Sequence, residues 1–176
     1  MKNAQMRSQG VTLLELMATL SIAGTLLAIA IPSFMDVITN NRTTSIANQL
    51  VNALAYARTE AIKRGIPVAI KHKGGIKSVW DEGWDIFTDT NGDGLMNMTD
   101  ELLKTYDALP QGHTLRTGTS YAYWMAYKSD GNSDGAKLGH DTFRLCDSSA
   151  DTAKSRSIIL NKTGRVRVKT GTTKCP

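Results

Sequence analysis

Near its C-terminus the chain reads Asn161-Lys162-Thr163-Gly164-Arg165-Val166-Arg167-Val168-Lys169. Side chains alternate along an extended strand, so Arg165, Arg167 and Lys169 share one face at steps of about 6.8 Å, and Val166 and Val168 turn to the core on the other. Asn161–Gly164 supplies the turn that joins this strand to a preceding one ending at Leu160. Cations in a row repel one another until something anionic meets them, which is chemistry for holding phosphates, not for breaking bonds. Lys162 adds a further positive charge in the turn. The bland reading is a solvated edge strand whose charge blocks aggregation.

A second constellation is Asp89-Thr90-Asn91-Gly92-Asp93-Gly94, continued to Asn97 and Asp100. Asp89, Asn91 and Asp93 stand at positions 1, 3 and 5 of a calcium loop, with Gly94 at 6 and Asp100 at 12. Asp100 is shorter than the usual bidentate glutamate, and the flanks read as strands, so a plain acidic turn competes with calcium. Tyr121, Tyr123 and Tyr127 would share one strand face with Trp124 opposite, a pattern that suits sheet packing more often than base stacking. His72, His113 and His140 are scattered without zinc spacing. There is no nucleophile elbow, phosphate-binding glycine loop or His pair, so no enzymatic activity and no cofactor beyond that calcium option are expected.

These residues hang on a chain of 176 residues with a net charge of +5 and a pI of about 9.3. That length suits one ordinary domain. After Asp151 no acid follows, while Lys154, Arg156, Lys162, Arg165, Arg167, Lys169 and Lys174 do, so the basic end fits a polyanionic partner or simply a solvated surface. At the other end, Val11 to Ile31 is an apolar run whose one charge is Glu15. As a helix it spans roughly 31 Å, near the thickness of a bilayer core. A carboxylate there is costly and calls for a partner.

Gly10-Val11-Thr12-Leu13-Leu14-Glu15-Leu16-Met17 resembles the prepilin motif of type IV pilins and type II secretion pseudopilins. The resemblance implies that a prepilin peptidase cuts between Gly10 and Val11 and methylates Val11, which stands where the family usually has phenylalanine. Glu15 then becomes the fifth residue of the mature chain, where it would pair with the free amine of a neighbouring subunit. Loss of Lys2 and Arg7 lowers the side-chain charge from +5 to +3. Pro32 falls where many pilins carry a helix-interrupting proline, and a kink or local melting is expected there.

The organisation that follows is a leader over 1–10, a transmembrane and assembly helix over 11–31, its amphipathic continuation over 32–64 and a β-rich head over 65–176. Ile46, Leu50, Leu54, Ala57 and Ala61 recur at helical steps, while Arg42, Asn48, Asn52, Arg58 and Lys63 take other faces. Strands are predicted at Ile66–His72, Trp84–Thr88, Leu102–Tyr106, Tyr121–Tyr127, Thr142–Cys146, Arg156–Leu160 and Arg165–Lys169. The fold class is therefore α+β, a long helix packed on a mostly antiparallel β head. This layout resembles the FimT/GspH group of minor pilins and minor pseudopilins, and Gly164-Arg165-Val166-Arg167 resembles the Gly-Arg-x-Arg motif of FimT-type pilins that bind DNA in natural transformation. The implied function is a minor type IV pilin binding DNA through Lys162, Gly164, Arg165, Arg167 and Lys169; the alternative is a minor pseudopilin of a type II secretion system with a structural role. The implied location is the inner membrane of a Gram-negative bacterium, head in the periplasm, then the pilus or cell surface. The implied partners are the prepilin peptidase, other pilin subunits and DNA. Cys146 and Cys175 would both lie outside the cytoplasm, where a disulfide contributing roughly 3 kcal/mol is expected.

Overall fold

The computed structural model describes residues 10–135 and 139–175. Of the expected leader, residues 1–9 lie outside this range. One helix, α1, runs from Leu13 to Arg64. Thr12 starts it: its Oγ1 accepts the Glu15 backbone N–H at 3.2 Å, which satisfies one of the amides that a helix N-terminus leaves without a partner. The helix therefore begins two residues later than the apolar run. It also continues through Pro32 with no break in its assignment, so the expected melting is not seen. The missing proline amide forfeits only one hydrogen bond of the ladder.

The chain divides into two compact units at Thr39/Asn40. In the first, every large apolar side chain from Val11 to Ile38 is more than half exposed. An α-helix that is apolar all round is stable only in hydrocarbon or among other helices. In the second unit, Ile46, Ala47, Leu50, Ala53, Leu54, Ala57 and Ala61 form a buried stripe at three- and four-residue steps.

Among the described residues two antiparallel sheets complete this unit. The first contains β1 (Val68–His72), β2 (Trp84–Thr88), β3 (Leu102–Tyr106), β5 (Trp124–Tyr127) and β6 (Ser133–Gly135) in the order β3-β2-β1-β5-β6. The second contains β4 (Thr114–Arg116), β7 (Asp141–Cys146), β8 (Arg156–Leu160) and β9 (Val166–Thr170) in the order β4-β7-β8-β9. The core draws on the helix stripe and both sheets: Leu50 and Leu54, Ile70, Trp84, Ile86 and Met125, then Phe143, Leu145, Ile158 and Leu160. Trp80 meets Phe143 edge-on at 5.1 Å, and Tyr121 stacks on the same ring at 5.9 Å. Ala69, Phe87 and Ala126 form a smaller cluster with Trp124.

Three expectations about these strands need correction. The run from Tyr121 is not strand until Trp124, and its tyrosines do not share an environment. Tyr121 and Tyr127 are buried, whereas Tyr123 is 45% exposed and stacks on His72 at 6.0 Å. Trp124 does lie with the separate cluster, away from the main core. Strands β4 and β6 were not expected. Finally, Val168 is 46% exposed: β9 is the sheet edge, and the core reaches Val166 but not one step further.

Candidate nucleic-acid interface

The turn before β9 is held from three directions. Asn161 N–H donates to Arg165 O at 3.1 Å, and Gly164 N–H to Asn161 O at 2.8 Å. From the helix, Arg58 Nη2 donates to Thr163 O at 3.0 Å and Nη1 to Gly164 O at 3.3 Å. From β6, Ser133 N–H donates to Lys162 O at 2.9 Å, and its Oγ to Asn161 O at 2.8 Å. Sequence periodicity assigned Arg58 to a face other than the buried stripe, and on that face it is a half-buried clamp on the hairpin. Gly164 has φ +75°, and a Cβ there would stand 2.2 Å from the Gly131 carbonyl oxygen and 3.0 Å from the Tyr127 ring. The glycine of the Gly-Arg-x-Arg run is thus a packing requirement that fixes where the arginines begin.

Arg165, Arg167 and Lys169 are all exposed, as is Lys162. Among the described residues none of the four forms an ion pair, whereas Lys63, Arg64, Lys73, Arg116 and Lys128 do. The β8/β9 register sets Arg167 beside Ile159 and Lys169 beside Ser157; the β7/β8 register sets Ser157 beside Arg144 and Ile159 beside Thr142. Phe143, Leu145, Ile158 and Leu160 face the core, so Arg144, Ser157, Arg167 and Lys169 share the outer face of the sheet. Arg144 was missed in the sequence. Its alternation with Phe143 and Leu145 marks it as outward, but only the register shows that it lies two strands from Lys169. Arg144 Nη2 donates to Thr117 O at 3.3 Å, which leaves its other donors facing out. Next along that row, Arg116 is paired with Asp81.

Cys146 and Cys175 are joined in a disulfide with Cα atoms 5.9 Å apart. It brings the C-terminal segment back beside β7. Gly171 N–H donates to Ser155 O at 2.9 Å, Thr172 N–H to Thr152 O at 3.0 Å, and Ser157 Oγ to Gly171 O at 2.7 Å.

The Asp89–Asp100 loop turns its carboxylates inward on its own backbone. Asp89 is buried; its Oδ1 accepts from the Gly92 and Asp93 amides and its Oδ2 from Gly94, at 3.0–3.1 Å. Burial raises its pKa in spite of those donors. Asp93 accepts the Leu95 amide at 2.7 Å and the Asn91 side chain at 2.9 Å, and these hold its carboxyl below the ordinary value. Asp100 accepts from Thr90 and Asn97 amides. Calcium would have to displace these bonds from Asp89, Asp93 and Asp100 together, and among the described residues no group of three His, Cys, Asp or Glu is placed to hold a metal. Gly94, at φ +69°, lies against the Trp124 ring, where a Cβ would stand 2.2 Å from a ring carbon. The loop thereby covers the smaller apolar cluster.

A membrane-length apolar helix whose rear half packs on antiparallel sheets is a pilin-like α+β architecture. The chain belongs to the family described as type II transport protein GspH, whose profile matches residues 47–164, and residues 5–31 match the prokaryotic N-terminal methylation motif. Its fold is similar to the type IV minor pilin FimU of Pseudomonas aeruginosa, with TM-score 0.64 and 19% identity over 77% of this chain and 96% of that one. It is also similar to the minor pseudopilin EpsH of the Vibrio cholerae type 2 secretion system, with TM-score 0.54 and 14% identity over 73% of this chain and 97% of that one. No curated protein sequence matches the chain. The chain is thus a minor pilin or pseudopilin subunit, and the family implies prepilin processing and assembly with other pilin subunits. The methylation motif and the apolar helix fit membrane anchoring and pilus assembly in a Gram-negative cell.

Proposed function

We propose that the chain is a non-enzymatic minor type IV pilin that binds DNA for uptake in natural transformation through the outer face of β9. The observation that carries this reading is the exposed row of Arg165, which ends the turn just before β9 and not within the strand as expected, and Arg167 and Lys169 on β9 itself, without acidic partners among the described residues, with the turn clamped by Arg58 and Ser133. A prepositioned row of free cations suits a polyphosphate backbone, and side chains that reach only phosphates bind without regard to sequence. Cleavage between Gly10 and Val11, methylation of Val11 and pairing of Glu15 with a neighbour's amine would place the subunit in the filament. The head would face the periplasm from the inner membrane before assembly and the cell surface afterwards.

The test is a salt titration of DNA binding by the compact unit from Asn40 onward. Wild type should show affinity that falls with salt, with a log–log slope of about −0.9 per phosphate neutralised on duplex DNA. Arg165→Ala with Arg167→Ala should flatten that slope by up to about two units for any DNA sequence. Unchanged affinity and slope in a folded double variant would refute the DNA role. The second reading, a structural minor pseudopilin of a type II secretion system, is favoured by the family's description as a type II transport protein. It expects no DNA binding in either form.

A further inference from the structure

Beyond the hairpin, the outer face of β7 and β8 forms the floor of a groove of about 530 Å³, walled by the C-terminal segment around Thr170–Thr173 and by Thr152 and Ala153. We propose that this groove is a phosphate-binding subsite, and that it takes one backbone phosphate of the strand whose neighbours lie along Arg165 and Arg167. The inference rests on the DNA reading above and names a contact that the basic hairpin does not contain. Arg144 rises from the floor and Lys169 from the rim, about two strand spacings apart, or roughly 9.6 Å. Among the described residues no carboxylate side chain lines the groove. The nearest wall acid in sequence, Asp151, spends its Oδ1 on the Ala153 amide. Thr142, Thr152, Thr172 and Thr173 line the same space, and among the described residues none of their hydroxyls hydrogen-bonds to another group.

Two cations and several threonines, with no acidic side chain among the described lining residues, suit a ligand that only accepts hydrogen bonds and carries negative charge. The walls hold their positions because Thr172 N–H is tied to Thr152 O, Ser157 Oγ to Gly171 O, and Cys175 to Cys146 at the end of β7. One wall is therefore made of residues that follow the last strand, and the disulfide keeps them there.

The experiment uses the full chain in non-ionic detergent with two probes, inorganic phosphate followed by 31P line broadening and single-stranded oligonucleotide followed by anisotropy. Arg144→Gln should weaken phosphate binding by about tenfold or more, the scale of one charge-assisted hydrogen-bonded contact. Thr172→Val should weaken it less but measurably, and reduction of the disulfide should act in the same direction. Circular dichroism identifies any variant that fails to fold; Arg144→Lys, which keeps the charge but not the fork, then replaces Arg144→Gln and should bind with intermediate strength. No phosphate binding by wild type, or binding indifferent to both Arg144 and Thr172 in folded variants, overturns the subsite. If oligonucleotide still binds through Arg165 and Arg167 in that case, the DNA reading survives alone. If phosphate binds through Arg144 but no oligonucleotide binds, the subsite stands and the DNA reading falls.

Discussion

Gly164 meets two demands at once, a left-handed backbone at φ +75° and contact with the Gly131 carbonyl that leaves no room for a Cβ. Gly164→Ala should therefore cost about 1–3 kcal/mol from backbone conformation alone, with the clash added, read as a lower urea midpoint. It should weaken DNA binding even though every cation remains, because the turn that aims them must move. The Gly-Arg-x-Arg run was legible in the sequence, but the reason for its glycine was not. Arg58, which binds the same turn, is 106 residues away in the chain, and its periodicity marks only which helix face it is on. His72 shows another environment hidden from the sequence. It is 4% exposed between Trp80 and Tyr123, and burial lowers its pKa, with Lys71 acting in the same sense and Glu82 against it. The fold holds the neutral ring, so its contribution is full above the unfolded value of about 6.5 and declines as pH falls through it, where the unfolded chain takes up the proton first. The melting temperature of the Asn40–Pro176 unit should drop between about pH 7.5 and about pH 5.5, and His72→Phe should reduce that drop. Glu60 does not act in this window, because its bond to Arg64 holds its carboxyl below the ordinary range.

At the scale of elements, the long helix was legible because its signals are local: an apolar run, then a stripe with helical spacing. Its start depends on Thr12, and Thr12 and Glu15 have the spacing of a capping box. This separates two roles at Glu15. Glu15→Gln keeps a side chain able to cap but removes the charge, so incorporation into filaments should be lost while membrane insertion persists. Thr12→Val removes the cap at about 1 kcal/mol but keeps the charge, so incorporation should persist; immunoblots of sheared filaments and of membranes report the two outcomes. Strands with alternating apolar residues were legible too. Strands β4 and β6 were not, because Thr-Leu-Arg holds one apolar residue and Ser-Asp-Gly none. Their place comes from backbone pairing with β7 and β5. The exposure of Val168 was misjudged because period two gives the face of a strand but not how far the core extends beneath it. Val168→Thr should change stability by no more than about 0.5 kcal/mol, whereas Ile158→Ala, directly across the ladder, should cost about 2–5 kcal/mol in equilibrium unfolding.

For the molecule as a whole, the Cys146–Cys175 bridge has the largest reach. Its sequence separation of 29 gives a loop-closure contribution of roughly 3–4 kcal/mol, so Cys175→Ser should lower unfolding stability by about that much. The pairing was legible because the chain holds two cysteines, but the wall it builds beside β7 was not, since that depends on where the last residues turn. The same bond has a mechanical meaning. On the proposed DNA-binding role, a nucleic-acid strand held by β9 under tension would pull on an edge strand, the element most easily peeled from a sheet. Here β8 and β9 lie inside a covalent ring closed on β7, so a peeling tear meets a sulfur–sulfur bond instead of an untethered segment. Stretching the chain from its termini should extend an oxidised molecule by roughly 90–100 Å less than a reduced one, the length of the ring withheld from the pull.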